Sequence, residues 1–524
     1  MTDLPIRQRA LDSTRLWQVL AAGVLLMLTL FMLRNVTILL TFAVTSLSYP
    51  FSFDYGEGIV WQQMRDMLEG TAYGPLGVFP AIVYHYPPLY HLTAAATAAL
   101  TGADQLAAGR AVEVVSTLAS AVLVGVLTVQ ALGEGVSRHI RLACAATAAL
   151  FFLNCGPVIV WAPLMRVDML AGAFGLIGLV LAIRAIDRPG LIHAAAVAFV
   201  LSIYTKQVSI AAPMAAFGVM LVADWRTALR GLLTATVLGL IVLAALCWAT
   251  DGGFVRHIFL YNVNRFAWSR LSMLADGFRD HWPLLLLAAV GLLHGLQRVR
   301  AAAGSSLAAL SRTLKADRAA FAITVLAAFL AIKTLTLLSI LKSGSNVNYF
   351  VEWLSAVVIF ASLAMRPVFA LAVEAAWPRA RVLLLVTLVG LVALIPNVAA
   401  VPVWSMDREL TDRAAKLAAI VPKVAAASKP VIADDMTLQL RAGRRVQWEP
   451  SIAAELGATG VYDEAAFVRM IRAGEFAFFV TGGRAGDRWF DEHYNPAVQT
   501  AIKDAYPVEE NLGEFVLHLP RQGN

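Results

Sequence analysis

The sequence predicts a polytopic α-helical membrane protein of about 11 transmembrane helices followed by a small C-terminal α/β domain, and three observations carry that prediction. Of the 524 residues, 59% are apolar and only 15% charged, with a mean hydropathy of +0.69, which is the balance of a chain that lives mostly in lipid. Lys and Arg recur in short clusters between apolar segments, as in the loops that stay on the cytoplasmic side of a membrane. After Ala400 the charge density rises and short helix-like and strand-like stretches alternate, as in a soluble domain. The formal charge of +7 raises the question of a nucleic-acid partner. No basic run with interleaved aromatics accompanies it, so the expected partners are membrane lipids and not nucleic acid.

Residues 1–400 form the expected membrane domain. Arg7, Arg9 and Arg15 precede an apolar run from Leu16 to Leu47, too long for the core of a cleaved signal peptide, so an uncleaved anchor with a cytoplasmic N-terminus is expected. Arg34 lies inside that run, but no Gly, Pro or polar cluster beside it closes a hairpin, which predicts one long tilted helix. Residues 49–107 then make a periplasmic loop with interfacial helices, because Leu89 to Leu100 is apolar for only about a dozen residues where roughly 20 are needed to span. Further spans follow at about 108–132, 141–161, 168–186, 191–205, 208–224, 229–250, 282–297, 319–341, 348–365 and 382–400, for eleven in all.

This count sends the clusters at Arg138 and Arg141, Arg184 and Arg188, Arg226 and Arg230, Arg298 to Arg318, and Arg366 to Arg381 to the cytoplasm. It places the first loop, Met165 to Asp168, Lys206, residues 251–281 and Lys342 to Tyr349 together on the opposite face. Residues 251–281 carry Arg256, Arg265, Arg270 and Arg279 against the charge rule, so these arginines either have a task or balance nearby acids. Cys144, Cys155 and Cys247 sit in apolar segments without metal-ligand spacing and read as packing residues. Residues 401–524 form the soluble domain, with strands at Pro430 to Asp434, Phe476 to Thr481 and Phe515 to Leu519 and a helix from Asp463 to Ala473.

The densest cluster of groups able to do chemistry lies between Ser52 and His91. Asp54 and Glu57 come first, an amphipathic segment from Gly58 to Gly70 follows, and Tyr84, His85, Tyr86 and His91 gather around Pro87-Pro88. A hydrophilic loop of a membrane protein is often polar only because it meets water, and aromatics beside prolines often mark the interface belt. Further motifs weigh against that reading. Phe53-Asp54-Tyr55-Gly56-Glu57-Gly58 stands just after the first helix, with Tyr86-Pro87-Pro88-Leu89-Tyr90 later in the loop. Gly109-Arg110 opens the second span, Arg166-Val167-Asp168 the fourth, and Lys342-Ser343-Gly344-Ser345-Asn346-Val347-Asn348-Tyr349 precedes the tenth. In this order, and on one membrane face, they resemble the bacterial GT-C glycosyltransferases, polytopic enzymes that use a polyprenyl-phosphate sugar as donor. Protein O-mannosyltransferases, the lipid A aminoarabinose transferase and lipopolysaccharide galacturonosyltransferases are the relatives meant. The chain departs from the mannosyltransferases, which carry adjacent Asp-Glu where two residues here separate Asp54 from Glu57.

The resemblance implies an inverting glycosyl transfer at the periplasmic face of the bacterial inner membrane, from a polyprenyl-phosphate-linked sugar to a glycan, lipid or protein acceptor, in cell-envelope glycoconjugate synthesis. An acceptor hydroxyl would attack the anomeric carbon while the lipid phosphate leaves. The general base maps first to Asp54 and second to Glu57. Cations and donors must hold the leaving phosphate, and the candidates are Arg166, Lys206, His85, Arg256, Arg265 and Lys342, with Tyr84 and Tyr349 beside them. Asp168 is either a second carboxylate that orients the acceptor or a metal, or a helix N-terminal acid stabilised by the dipole and Arg166. Asn346 and Asn348 either bind sugar hydroxyls or are turn residues after Gly344. A divalent cation, Mg or Mn, is left open as a cofactor, with Asp54 and Asp168 as its ligands. The competing reading is a transporter or flippase of lipid-linked sugars; such a protein would place ionisable groups at the midplane and often repeat its halves, and this sequence does neither.

Overall fold

The computed structural model describes residues 4–262, 264–304, 306–374, 381–400 and 408–521. The expected domain boundary between 400 and 401, and part of the cationic stretch ending at Arg381, lie at or in residues outside that set. The first helix, α1 (Leu4–Ser46), is a single rod through Arg34, as a run without a breaker requires. In the first loop come α2 (Gly56–Leu68) and α3 (Leu89–Thr101), the latter of 13 residues and so too short to span alone. The next helix, α4 (Gln105–Leu132), is N-capped by Asp104, whose Oδ1 accepts from the N–H groups of Leu106 and Ala107 at 3.1 and 3.3 Å.

The span expected at 141–161 is instead two helices, α5 (Arg138–Leu153) and α6 (Gly156–Trp161). Asn154 makes the break: its amide donates to the carbonyls of Leu150 (2.9 Å) and Met32 (3.3 Å) and its Oδ1 accepts from Asn35 at 2.9 Å. Pro157 restarts the helix in its first turn, where the missing N–H costs nothing. Then follow α7 (Asp168–Arg184), α8 (Leu191–Thr205), α9 (Ala211–Ala223), α10 (Trp225–Ala249) and the single turn α11 (Gly253–Val255). The amphipathic α12 (Leu271–Asp280) leads into α13 (Trp282–Ala303), α14 (Leu307–Ala316), α15 (Arg318–Thr336), α16 (Tyr349–Ala364), α17 (Arg366–Glu374) and α18 (Arg381–Ala399).

All eleven expected segments are thus helical. Among the described residues, 7 stretches are long and apolar enough to cross a membrane, whereas α5, α7, α8 and α9 have 16, 17, 15 and 13 residues. Leu229, Leu233, Val237, Leu240 and Ile241 on α10 are exposed, the outward apolar face of a lipid-facing helix. Charge sorts the bundle into two ends. At one, Arg318 pairs with Glu134 (3.1 Å) and Asp187 (2.7 Å), tying three of the predicted cytoplasmic loops together. At the other gather the first loop, residues 165–168, Lys206, residues 256–281 and residues 342–349, together with the C-terminal domain.

That domain opens with α19 (Arg408–Ala426) and is built on a four-stranded sheet of order β1-β2-β4-β3, with β1 (Val431–Ala433) parallel to β2 (Phe478–Thr481) and the remaining pairs antiparallel. Helices α20 (Thr437–Arg441), α21 (Pro450–Thr459) and α22 (Glu464–Arg472) form the crossover. After β2 come α23 (Arg488–His493), α24 (Pro496–Ala505), β3 (Val508–Asn511) and β4 (Val516–Leu519). The expected strands and helix are all present. Of the strands only β3 was unanticipated, because Val-Glu-Glu-Asn shows no alternation and all four residues are exposed; helices α19, α20, α21, α23 and α24 were not foreseen either. The domain is not self-contained. First-loop residues Leu76, Ala81 and Val83 share its core with Trp448 and Phe467, and the N–H of Ala81 donates to the Gln447 carbonyl at 2.9 Å.

Candidate active site

Helix α2 starts at Gly56, so Asp54 precedes it and does not share a helical face with Glu57. The two acids have different surroundings. Glu57 is fully buried and held by Arg110 through two parallel bonds, Nε to Oε1 at 2.8 Å and Nη2 to Oε2 at 2.9 Å. Its oxygens also accept from the N–H groups of Phe53 and Met165, each at 2.7 Å. Arg110 spends its other N–H groups on the carbonyls of Ser46, Tyr49 and Phe51, each at 2.7 Å. Burial pushes the Glu57 pKa up, but Arg110 and the two N–H donors outweigh it and hold the carboxyl below its ordinary value. Glu57 and Arg110 together fasten the end of α1 to α2, α4 and the Met165 turn.

Asp54 is partly exposed, and its Oδ1 accepts from the Gly56 N–H and pairs with Arg166 Nη1, both at 3.0 Å. Both contacts fall on one oxygen, which leaves Oδ2 to take a proton. The guanidinium of Arg166 lies across the start of α2, where a Cβ on Gly56 would overlap it, so a side chain at this position would displace Arg166 from its place beside Asp54. Arg166 also lies 5.4 Å from the Trp161 ring centroid, and its Nε is buried without a partner.

Behind Arg166 stands a second, closed network. Asp168 is buried; its Oδ1 accepts from Lys206 and from Asn348 (2.9 Å), and its Oδ2 accepts from the Trp161 indole at 2.7 Å. Lys206 in turn sits 5.1 Å from the Tyr349 ring centroid. The start of α7 that carries Asp168 is fixed by Glu113 of α4, which accepts from the N–H groups of Met169 and Leu170 at 2.9 and 3.0 Å.

A cavity of about 1440 Å³ opens between the membrane helices and the C-terminal domain. Of the candidate catalytic and donor-binding residues read from the sequence, Asp54, Arg166, Arg265 and Asn346 line it. Lys206, Asn348, Tyr349 and Asp168 do not, but they stand as one network directly behind Arg166. Glu57 is enclosed as described. The Tyr84 hydroxyl donates to Asp66 at 2.7 Å in a separate buried cluster with Arg445. His85 lies off the cavity; burial, Arg166 and His257 hold its pKa down at about 4, so its ring is neutral and supplies no charge to a phosphate. Arg256 is exposed and donates to the Asp251 carbonyl at 2.9 Å, while Lys342 is exposed and its backbone bridges Phe266. Neither of these cations reaches the site. Of the other arginines in residues 251–281, Arg279 balances Asp276 and Asp280, whereas Arg270 lines the cavity and donates to the Ser345 carbonyl at 2.7 Å.

Several lining residues carried no signal in the sequence. Glu455, Trp489 and His493 belong to no motif spacing and come from a domain distant in the chain, whereas Tyr55 lies inside the Asp54 motif but was given no role. Tyr55 stacks on His493 with centroids 4.6 Å apart and accepts from the Ser451 N–H at 3.2 Å. Next to it the buried Glu449 is pushed up to about 8 by burial, opposed by Arg166 and reinforced by Glu455. Among the described residues no three His, Cys, Asp or Glu side chains gather in a metal-binding group. Asp54 pairs with Arg166 and Asp168 with Lys206.

No protein-family model matches the sequence, and no curated protein matches it by sequence. Solved structures do match its fold. ArnT from Cupriavidus metallidurans in the apo state superposes with a TM-score of 0.55 at 17% identity, over 94% of this chain and 98% of that one. The same protein bound to undecaprenyl phosphate gives 0.53 at 16% identity, again over 94% and 98%. The archaeal oligosaccharyltransferase AglB from Archaeoglobus fulgidus, in complex with an inhibitory peptide and a dolichol-phosphate, gives 0.51 at 11% identity over 94% of this chain and 74% of that one. Along nearly its whole length, the chain has the fold seen in ArnT and in the oligosaccharyltransferase AglB.

Proposed function

We propose that this protein is an inverting glycosyltransferase that moves a sugar from a polyprenyl-phosphate donor to an acceptor at the periplasmic face of the membrane. The observation that carries the reading is the Asp54–Arg166 pair at 3.0 Å, which places a part-exposed carboxylate and a cation side by side on the wall of a cavity between bundle and domain. The matched folds, one bound to undecaprenyl phosphate and one to a dolichol-phosphate, support the donor class.

The pair divides the chemistry. An acceptor hydroxyl is a poor nucleophile until its proton is taken, and Oδ2 of Asp54 takes it as the new bond to the anomeric carbon forms. The bond to the lipid phosphate breaks on the opposite side of that carbon, and the phosphate leaves as an anion that needs no separate acid. Arg166, whose side chain lines the cavity, receives that charge, and Lys206 behind Asp168 adds to the positive potential. Glu57 is the scaffold of the base and not a second base, since Arg110 and two N–H groups occupy its oxygens.

The test is Asp54→Asn, which keeps shape and loses the basic oxygen. The variant should fold, bind polyprenyl-phosphate sugars as the parent does, and lose transfer by at least about a hundredfold, within the usual worth of a general base. Wild-type turnover of a donor panel by the variant would reject Asp54 as base. Undiminished passage of lipid-linked sugar without any turnover in the parent would replace the transferase with a transporter.

A further inference from the structure

The widest cluster that this chemistry leaves unused is aromatic and belongs to the C-terminal domain. Trp489 lines the same cavity as Asp54 and is 48% exposed, although its neighbours Phe490 and Tyr494 are buried. Its ring is held rather than free. It packs over Gly482, where a Cβ would come within 2.6 Å of the indole nitrogen, and meets His493 edge-on with centroids 4.4 Å apart. It also meets Tyr55 edge-on at 5.9 Å. Tyr55 is the residue next to Asp54, so the indole stands one side chain away from the carboxylate that takes the proton.

A fixed indole with an open face, in an aqueous cavity, suits a ligand with one flat apolar face and a polar rim. A sugar ring has that form, its axial C–H bonds making the flat face and its hydroxyls the rim. The rest of this wall provides for the hydroxyls, because Arg488, Asp491 and Glu492 also line the cavity. A peptide would be expected to add to a strand edge, and neither edge strand, β1 or β3, lines the cavity. The donor is anchored by its lipid at the membrane end beside Arg166, whereas Trp489 belongs to the soluble domain.

We propose that Trp489 is the stacking platform of an acceptor subsite that binds a sugar ring, so that the acceptor is a carbohydrate or carries one at its reacting end. The word acceptor rests on the transferase reading; the sugar-binding platform does not. The full-length protein, in a detergent without a sugar headgroup, is titrated with methyl β-glucopyranoside, maltose and chitobiose by saturation-transfer NMR, and in parallel with undecaprenyl phosphate. At least one carbohydrate should bind. Trp489→Ala should weaken it about tenfold, at the upper end for a ring contact. Trp489→Tyr, which keeps a stacking face, should restore most of that loss. Trp268→Ala, an exposed tryptophan off the cavity, should change nothing. Undecaprenyl phosphate should bind all four proteins equally. If none of the three carbohydrates binds, or Trp489→Ala binds them as the parent does, the platform is overturned while donor binding leaves the transferase reading standing. If Trp489→Ala weakens undecaprenyl phosphate instead, the residue belongs to the donor side and the acceptor assignment falls.

Discussion

Two acids three positions apart, Asp54 and Glu57, differ because one carboxylate keeps an oxygen open and the other has none to spare. The difference is measurable. Glu57→Gln leaves Arg110 buried with its charge uncompensated, which should cost about 3 to 5 kcal/mol of stability. Asp54→Asn removes one partner of a part-exposed pair, for which about 0 to 1 kcal/mol is usual. Thermal unfolding in detergent should therefore fall sharply for Glu57→Gln and hardly at all for Asp54→Asn. A Glu57→Gln protein as stable as the parent but inactive would return Glu57 to the chemistry. At this scale the sequence allowed Asp54 to be ranked first, because a motif carries it. It did not show how differently the two acids are held, because the partner of Glu57, Arg110, is 53 residues away and is reached only when α1, α2 and α4 pack. Trp489 and His493 were invisible for a related reason: six residues of short helix carry no periodic pattern, and their meaning comes from Tyr55 across the chain.

Among the elements, hydropathy located every apolar helix but not how each begins or breaks. The hidden partners are polar side chains from other helices. Asn154 ends α5 by bonding to α1, and Glu113 of α4 caps α7. Glu113, an acid in the third turn of the 28-residue apolar α4, is itself a signal of a special task. Glu113→Ala should leave two N–H groups unmet at the start of α7, each worth about 1 to 3 kcal/mol when buried. It should also loosen the Asp168–Lys206 network that begins there. The expected result is a lowered unfolding temperature together with weaker donor binding, with Glu113→Gln intermediate because an amide oxygen still accepts. A Glu113→Ala protein with the stability of the parent would show that α7 finds its cap elsewhere. Short helices are legible as apolar but not as spans: α5, α7, α8 and α9 fall below the length that hydropathy alone would accept, and an apolar segment shorter than the hydrocarbon core is matched by local thinning of the bilayer or by its flanking residues, not by tilt.

At the level of the whole molecule, the charge asymmetry read from the loops reappears as two ends of the bundle. Arg318 joins Glu134 and Asp187 at one end, while every motif of the candidate site meets the C-terminal domain at the other. The domain is tied to that end by side chains from both sides. Arg441 pairs with Asp104 (2.6 Å) and donates to the Pro50 carbonyl (2.7 Å), and Arg413 donates to the carbonyl of Ser52 (2.6 Å). The cavity side of the domain therefore cannot turn to the far face of the membrane without breaking the site, and one measurement of sidedness fixes both. The positive-inside rule predicts that the end carrying Arg318 and the other Lys and Arg clusters is cytoplasmic, and that the site and domain therefore face the periplasm. In a variant with Cys144, Cys155 and Cys247 replaced, a cysteine at the exposed Lys503 should react with an impermeant maleimide added to intact spheroplasts. One at the exposed Arg312, in α14, should react only after the membrane is opened. A cysteine at Thr71, exposed in the first loop, should behave as Lys503 does. The reverse pattern would put the transfer chemistry in the cytoplasm, and a Thr71 label that parted from the Lys503 label would break the link between loop and domain on which the candidate site depends.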